Sequence, residues 1–355
     1  MEFVRYCISI KDLLIVTRCS WKSKILLCFY GIVDGICTTG NKIGADGAKA
    51  IAAALNVPNG SLSTLNLAAN ELCGVSEYGE GDYDASGILA LAEALKVPNG
   101  SLVALDLSYN FVGAGGVADL AEALKVPYGS LGTLDLSANR IGPEGAVALA
   151  EALKVPNGSL GTLNLLRNFF GGDGADAIIA VYEQSASLQS LCGCKSGMTS
   201  LNLSYRGLEP DDAMLLAAEL KKGVTTGSLG TLNLANNPLC RGDGDEDYDY
   251  DVSGILALAE ALKVPNGSLG TLILDSIRLA GTAEDEHPEG MQALAEALKC
   301  NTTLEFLSLQ NNSLGPRCAS ALAACGSLVT LNLGGNKIVP KGAVTLAEAL
   351  RVPNG

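Results

Sequence analysis

Histidine is nearly absent from this chain, since His287 is the only one among 355 residues. A histidine-centred catalytic triad and a multi-histidine metal site are therefore excluded. Cys192 and Cys194 lack the second cysteine pair that a zinc site needs, and the glycines of the segment GGDGAD, 171–176, do not have the spacing of a phosphate-binding loop. We expect no catalytic residue, no bound metal and no cofactor.

Long apolar runs are also missing. The longest strongly apolar run near the N-terminus, 25–37, is too short to span a bilayer and contains Asp34, and residues 1–20 lack the order of a secretory signal. The eleven cysteines are odd in number and scattered, unlike a disulfide framework. We expect a cytoplasmic protein with reduced thiols and no membrane partner.

Aromatic residues make up only 5% of the chain, whereas glycine occurs 42 times, which favours many small, similar packing units. One phrase, L-x-x-L-x-L-x-x-N, recurs along almost the whole chain, with an undisturbed spacing of 29 residues. Its asparagine position falls at 41, 70, 110, 139, 168, 206, 237, 277, 312 and 336.

Each repeat is predicted to be a strand followed by a helix. In the fourth repeat the inward-pointing strand residues are Leu131, Leu134 and Leu136, with Ile141 after the turn. The residues that share one helix face at i, i+3, i+4 and i+7 are Ala146, Leu149, Ala150 and Leu153. One such unit leaves its two sides exposed, so that only stacked neighbours complete the core.

Stacking predicts a bent molecule. Neighbouring strands pair at about 4.8 Å, whereas neighbouring helices pack at about 8–10 Å. We therefore predict an α/β horseshoe solenoid, with parallel strands on the concave face and helices on the convex face. Residues 33–355 form about ten repeats, residues 1–32 form an N-terminal cap, and the extra residues at 185–198 form a joint between two halves.

The asparagine of each phrase is predicted to lie in the turn after the strand, where its side-chain amide bonds backbone groups of the next repeat and forms a ladder along the stack. Arg206 and Ile277 replace this asparagine in two repeats. We expect those two repeats to be looser or locally rebuilt.

The segments SLGTLNLLRN and NRIGPEGAVALAEAL resemble leucine-rich repeat proteins, specifically the ribonuclease-inhibitor-like subclass. That subclass includes ribonuclease inhibitors, the sensor ends of nucleotide-binding immune receptors, and Ran GTPase-activating proteins. The resemblance covers about residue 33 to the C-terminus and implies a horseshoe solenoid. It also implies three functions: a protein-binding scaffold, a regulator of a small GTPase, or the sensing module of a longer nucleotide-binding receptor.

A protein partner is predicted to bind on the concave surface, where residues between the leucines can vary without harming the core. Most are small and polar, but tyrosine, phenylalanine and arginine cluster in four consecutive repeats, and tyrosine and arginine are enriched at interface hot spots. The candidate partner-binding residues are Tyr109, Phe111, Arg140, Arg167, Phe169, Tyr205 and Arg206. The alternative is that the phenylalanines tuck back over the rim while Arg167 and Arg206 only solvate it.

Negative charge is concentrated in three insertions. The segments 71–84, 241–251 and 284–289 together carry the whole net charge of −14, and each lies between an asparagine position and the following helix. If they select the partner, it is basic. Asp243, Asp245 and Asp247 alternate as in a calcium loop, but Tyr248 and Gly254 break that pattern. On the predicted helices lysines follow glutamates at i, i+3, so nothing indicates nucleic acid as a partner.

Overall fold

The computed structural model describes residues 35–56, 62–76, 79–97, 100–126, 129–155, 159–223, 227–241, 250–264, 267–281, 286–322 and 328–349. The chain divides into two compact units, Met1–Gly193 and Cys194–Gly355, and the boundary between them falls inside the segment 185–198. The cap expected at residues 1–32 and the alternating aspartates of 242–249 lie outside the described residues.

Strands and helices alternate in both units. The first unit contains β1 (Gly35–Cys37), α1 (Gly44–Leu55), β2 (Thr64–Asn66), α2 (Ser86–Leu95), β3 (Ala104–Asp106), α3 (Gly113–Leu124), β4 (Thr133–Asp135), α4 (Gly142–Leu153), β5 (Thr162–Asn164) and α5 (Gly171–Gln184). The second contains β6 (Ser200–Asn202), α6 (Pro210–Lys222), β7 (Thr231–Asn233), α7 (Ser253–Leu262), β8 (Thr271–Ile273), α8 (Glu289–Cys300), β9 (Phe306–Ser308), α9 (Pro316–Ala321), β10 (Thr330–Asn332) and α10 (Val339–Ala349). One strand with its helix is called a coil, numbered by its strand.

Each unit has one parallel sheet whose strands follow chain order, β1 to β5 and β6 to β10. The central leucines of neighbouring strands are in register, as Leu105 is with Leu134. Leu134 and Leu136 are fully buried, and so are Ala146 and Leu149 of α4, so the leucines of the strand face the small residues of the helix. The α/β leucine-rich solenoid is thereby confirmed within each unit. Leu153 departs from the predicted helix face, because it is the last residue of α4 and is only half-buried.

A ladder of buried asparagines joins the coils, as predicted. The Asn139 Oδ1 atom accepts the N–H groups of Asn110 at 2.9 Å and Val112 at 3.3 Å, while its Nδ2 atom donates to the carbonyl oxygens of Leu107 at 3.0 Å and Leu136 at 2.9 Å. The predicted direction was wrong, since Asn139 bonds the preceding coil and not the next one. Each asparagine therefore fixes the turn of the coil before it.

Ile277 replaces one asparagine of the ladder, and the hydrogen bonding changes in the coil before it. Ile277 is fully buried and still donates its N–H to Asn312 Oδ1 at 2.9 Å, so the eighth coil keeps its support. In the seventh coil the N–H of Leu239 donates to the carbonyl oxygen of Asn237 at 2.9 Å, whereas the equivalent Leu279 donates to an asparagine side chain. The hydrogen bonding of the seventh coil differs because the Ile277 side chain has no acceptor atom.

Residues 185–193 end the first sheet. The N–H of Leu163 donates to the carbonyl oxygen of Ser190 at 2.9 Å, and that of Leu165 to the carbonyl oxygen of Leu191 at 2.9 Å. Leu188 and Leu191 are buried beside them. The segment thus lies beside β5, where the next strand would pair, and it has no helix of its own.

We expect Asn139→Ala to destabilise the protein by about 3 kcal/mol or more, because it leaves two buried N–H groups without an acceptor at about 1–3 kcal/mol each. The measurement is chemical denaturation followed by circular dichroism. Asn41→Ala is the matched control, since Asn41 is the exposed rung of the first coil and should cost much less. Equal losses in both variants would contradict the ladder as a source of stability.

Candidate functional site

All seven candidate residues lie in the turns and not on the strands, which corrects their predicted placement. Six of them directly precede or follow the asparagine position of their coil and have a positive φ: Tyr109 (59°), Phe111 (54°), Arg140 (52°), Arg167 (65°), Phe169 (56°) and Tyr205 (57°). Arg206 occupies an asparagine position and donates its N–H to Asn237 Oδ1 at 2.9 Å. The strands are shorter than predicted, since β4, for example, ends at Asp135, before the turn that contains Asn139.

The turn itself does not require large side chains. Ala69 and Ala138 occupy the same left-handed position as Tyr109, with φ of 54° and 55°. A left-handed conformation costs residues such as alanine and tyrosine about 1–2 kcal/mol. The fold therefore leaves the choice between alanine and tyrosine open at this position, and the large side chains add only surface.

Two arginine–aromatic pairs order these side chains in the first unit. The Arg167 guanidinium lies over the Tyr109 ring, 5.2 Å from its centroid, and its Nη1 atom donates to the Tyr109 hydroxyl oxygen at 2.5 Å. The Arg140 guanidinium lies 4.5 Å from the centroid of the Phe111 ring. Such contacts hold long arginine side chains in place. Phe111 is half-buried under Arg140, whereas Phe169 stays 48% exposed and does not tuck back over the rim.

The remaining two candidates belong to the second unit. Tyr205 is 77% exposed, and Arg206 is exposed beside it in the turn after β6. The candidate residues were expected in four consecutive coils. This expectation is wrong after the fifth coil, because residues 185–193 pair with β5 where β6 was expected. The first unit contains Tyr109, Phe111, Arg140, Arg167 and Phe169, and it pairs Arg167 with Tyr109 and Arg140 with Phe111.

The strand face of the first unit also carries a pair of acids that the sequence pattern did not single out. Asp106 and Asp135 are register partners at the ends of β3 and β4, and we call them the acid pair. The Asp106 Oδ2 atom accepts the Asn66 side-chain amide at 2.8 Å, and the Asp135 Oδ2 atom accepts that of Asn164 at 2.9 Å. The signal was present in the sequence as aspartate at the same repeat position in two successive phrases.

Burial raises the pKa of Asp135, although hydrogen bonds from Ser137 and Asn164 oppose the shift, and the neighbouring Asp106 carboxylate raises it further. The fold therefore disfavours the ionised form of Asp135. Its ionisation costs stability, and this cost appears as the pH rises through the ordinary aspartate pKa of about 3.9 towards the raised value.

We expect Asp135→Asn to gain stability relative to the wild type as the pH rises from about 3.5 to 7, because asparagine does not ionise. The measurement is the difference between the unfolding free energies of the two proteins at each pH. Asp82→Asn removes an exposed carboxylate from the first acidic insertion and serves as the control. A difference that falls with pH would contradict the raised pKa.

The acidic insertions are anchored by tyrosines. The Tyr83 hydroxyl donates to the carbonyl oxygen of Val112 at 2.6 Å and accepts the N–H of Gly116 at 3.1 Å. The Tyr250 hydroxyl donates to the carbonyl oxygen of Leu279 at 2.7 Å. Both tyrosines bind the residue 29 positions further on, in the following coil. The described parts of these insertions are therefore held against the stack.

We expect Tyr83→Phe to cost about 1 kcal/mol, because its hydroxyl makes two hydrogen bonds to the next coil. Hydrogen exchange at the Gly116 amide should become faster, since that N–H loses its acceptor. Tyr205→Phe is the control, because Tyr205 is exposed. Unchanged exchange at Gly116 would show that the hydroxyl does not hold the insertion.

Across the described ranges, three or more histidine, cysteine or acidic side chains are nowhere arranged to hold a metal ion. None of the helices within those ranges is long and apolar enough to cross a bilayer. Burial and the Asp84 carboxylate raise the pKa of the Cys73 thiol to about 12, so this thiol stays protonated and unreactive at neutral pH.

Comparison with known proteins agrees with this fold. A leucine-rich repeat family model matches residues 39–52, 130–150, 300–323 and 324–347. The expected leucine-rich repeats are confirmed, whereas the ribonuclease-inhibitor-like subclass stays a prediction. No curated protein matches the chain.

Three solved structures match most of the chain at low identity. The leucine-rich repeat-containing protein LegL7 of Legionella pneumophila is 19% identical over 92% of this chain and 95% of its own, with a TM-score of 0.37. The internalin inlF of Listeria monocytogenes is 16% identical over 91% and 74%, with a TM-score of 0.35. TLR13, in a complex with ssRNA13, is 17% identical over 82% and 39%, with a TM-score of 0.32.

Proposed function

We propose that this chain is a protein-interaction module that binds a protein partner through the turns and strand face of its first unit. The observation that carries the proposal is the pairing of Arg167 with Tyr109 and of Arg140 with Phe111. These exposed or half-exposed side chains are large, mutually ordered and not required by the turns that present them. In the second unit, Tyr205 and Arg206 are separate candidate partner-binding residues.

Preorganisation supports binding by this surface. Immobilising a flexible side chain on binding costs about 0.5–1.5 kcal/mol. Arg167 is already held on the Tyr109 ring and hydroxyl, so less freedom is lost when a partner docks. Asn139 accepts an N–H of the turn that carries Tyr109, and the Asn168 side chain donates to the Leu165 carbonyl oxygen at 2.8 Å in the coil that carries Arg167.

The opposite face of the first unit lacks this character. Glu93 pairs with Lys96 at 2.6 Å, Glu122 pairs with Lys125 at 2.5 Å, and Glu151 pairs with Lys154, each at i, i+3 on its helix. Exposed ion pairs of this kind balance charge and contribute little to the stability of the protein. We therefore place the partner on the strand face and not on the helices.

Two rival functions remain as alternatives: regulation of a small GTPase, and sensing as part of a nucleotide-binding receptor. Both begin with protein binding, and they differ in its consequence. A single-turnover GTP hydrolysis assay with candidate small GTPases separates the first rival, because a plain interaction module leaves the rate unchanged. Transcript sequence on both sides of this chain tests the second, which requires an adjoining nucleotide-binding domain.

We expect Tyr109→Ala and Arg167→Ala each to weaken partner binding by roughly 2 kcal/mol, as hot-spot residues do. Alanine is native at the equivalent position 138, so both variants should fold. Crosslinking and mass spectrometry from native extract identify the partner, and titration of that purified partner gives the affinity.

Val147→Ala is the matched control, because Val147 is 52% exposed on α4, on the helix face. It should bind like the wild type. Full binding by both the Tyr109 and the Arg167 variants, or an equal loss in the Val147 variant, would remove this surface from consideration.

A further inference from the structure

The cations of the first unit fall into two groups. Five lysines each place the Nζ atom within 3.2 Å of a carboxylate oxygen: Lys42, Lys49, Lys96, Lys125 and Lys154. The two arginines lie on aromatic rings instead. Arg140 forms neither an ion pair nor a side-chain hydrogen bond with any residue that the structure describes. The lysines are therefore neutralised within the chain, whereas the charge of Arg140 is not.

Both arginine side chains reach back to one turn, residues 109–111 of the third coil. Arg140 comes from the fourth coil and lies on the Phe111 ring, and Arg167 comes from the fifth coil and lies on the Tyr109 ring. Tyr109 and Phe111 directly precede and follow the same buried asparagine. Two positive charges are thus gathered over a single turn, which favours the approach of an anion.

The ring contact leaves the hydrogen-bond donors of Arg140 available. A cation–π contact is electrostatic and uses none of the N–H groups, and a guanidinium offers five of them in a fixed fork. The Phe111 ring holds the guanidinium at 4.5 Å, so this fork is oriented before a partner arrives. A carboxylate matches the fork with two parallel hydrogen bonds.

We propose that the partner presents an acidic side chain to the turn 109–111, where its carboxylate binds the Arg140 fork beside the charge of Arg167. An apolar neighbour of this acidic side chain packs on Phe169, which follows Arg140 at the equivalent position of the next coil and is 48% exposed. This inference rests on the proposed function and names the chemistry of the partner.

The surrounding charge favours a short acidic segment of a protein over a nucleic acid. The Arg140 Nη1 atom lies 4.0 Å from the position that a β-carbon on Gly79 would take, so the first acidic insertion borders it. Glu80 and Asp82 of that insertion are exposed. A nucleic acid would bring a phosphate with every nucleotide against these carboxylates and the acid pair. A single carboxylate needs only the two arginines, and basic residues elsewhere in the partner can face the insertion.

The test uses the full chain and two blocked peptides, acetyl-Gly-Leu-Glu-Leu-Gly-amide and its glutamine analogue, which is close in shape but uncharged. The reporters are the NMR signals of the Arg140 and Arg167 side-chain Nε–H groups in protein labelled at arginine. We expect saturable shifts of both signals with the glutamate peptide and none with the glutamine peptide. Added salt should weaken the binding, because the contact lies at the surface.

We expect Arg140→Gln to weaken binding of the glutamate peptide roughly fivefold, the upper range for one exposed ion pair, as read from the Arg167 signal. Arg140→Lys should recover part of the affinity, because it keeps the charge and loses the fork. Lys154→Gln is the matched control, since it removes the same charge from the helix face, and it should bind like the wild type. Glutamate is native at the equivalent left-handed position 71, so both Arg140 variants should fold, and thermal unfolding checks this.

Three results with the peptides would overturn the proposal: equal shifts with the glutamine peptide, undiminished binding by Arg140→Gln, or an equal loss in Lys154→Gln. Tighter binding of a uridine dodecamer than of the glutamate peptide, with shifts of the same two arginine signals, would also overturn it. The arginines and aromatic rings would then serve a single-stranded nucleic acid.

The partner found by crosslinking separates this inference from the proposed function. If Tyr109→Ala weakens that partner and Arg140→Gln does not, the interaction surface stands and the carboxylate contact fails. If Tyr109→Ala, Arg167→Ala and Arg140→Gln all bind the partner as the wild type does, the proposed function itself fails. Weakening by Tyr109→Ala and Arg140→Gln, with partial recovery in Arg140→Lys, supports both.

Discussion

The buried asparagine amide is the interaction on which the rest of this structure depends. Each turn after a strand contains N–H groups that the stack separates from water, and a buried donor without an acceptor costs about 1–3 kcal/mol. The amide of the next coil supplies the acceptor, as Asn139 does for Asn110 and Val112. One residue per repeat therefore joins neighbouring coils and sets their register. Where Ile277 interrupts the series, the backbone of the preceding coil forms a different turn.

The same turn separates a buried asparagine from exposed residues whose type varies between coils. The asparagine is buried, but the residues before and after it are held at positive φ and point away from the core. Alanine and serine satisfy these positions in some coils, such as Ala138 and Ser276, whereas tyrosine, phenylalanine and arginine occupy them in others. A large side chain there changes the surface without disturbing the stack. The candidate residues are concentrated at positions where the fold accepts side chains of very different size.

The acidic insertions are also held by contacts between successive coils. The segments GDYDASGILALAEALKVPNGSL and YDYDVSGILALAEALKVPNGSL are close copies, which indicates an internal duplication. Each copy keeps a tyrosine whose hydroxyl reaches the backbone 29 residues further on. Duplicating a coil therefore duplicates its anchor, because the next coil presents the same carbonyl group at the same place. Extra charge can be added to the edge of a solenoid without rebuilding the core.

The sequence by itself determined the coils. The spacing of leucines and asparagines predicted the strands, the helices, the buried face of Leu134 and Leu136, and the ladder, because each is a local pattern repeated with a fixed period. It also predicted the residue types of the candidate surface. It could not place Tyr109 or Arg167 in left-handed turns, since that depends on how short the strands are once the asparagine bonds the preceding coil.

Only the tertiary structure decided which residues meet across coils. Arg167 reaches Tyr109 past an intervening coil, Asp106 and Asp135 become neighbours through strand register, and residues 185–193 end the first sheet. The repeat marks Asp106 and Asp135 as equivalent positions, but only the stacking of the coils brings residues of different repeats into contact. Stacking brings equivalent positions of different coils into contact, so the chemistry of the surface arises between repeats and not within one.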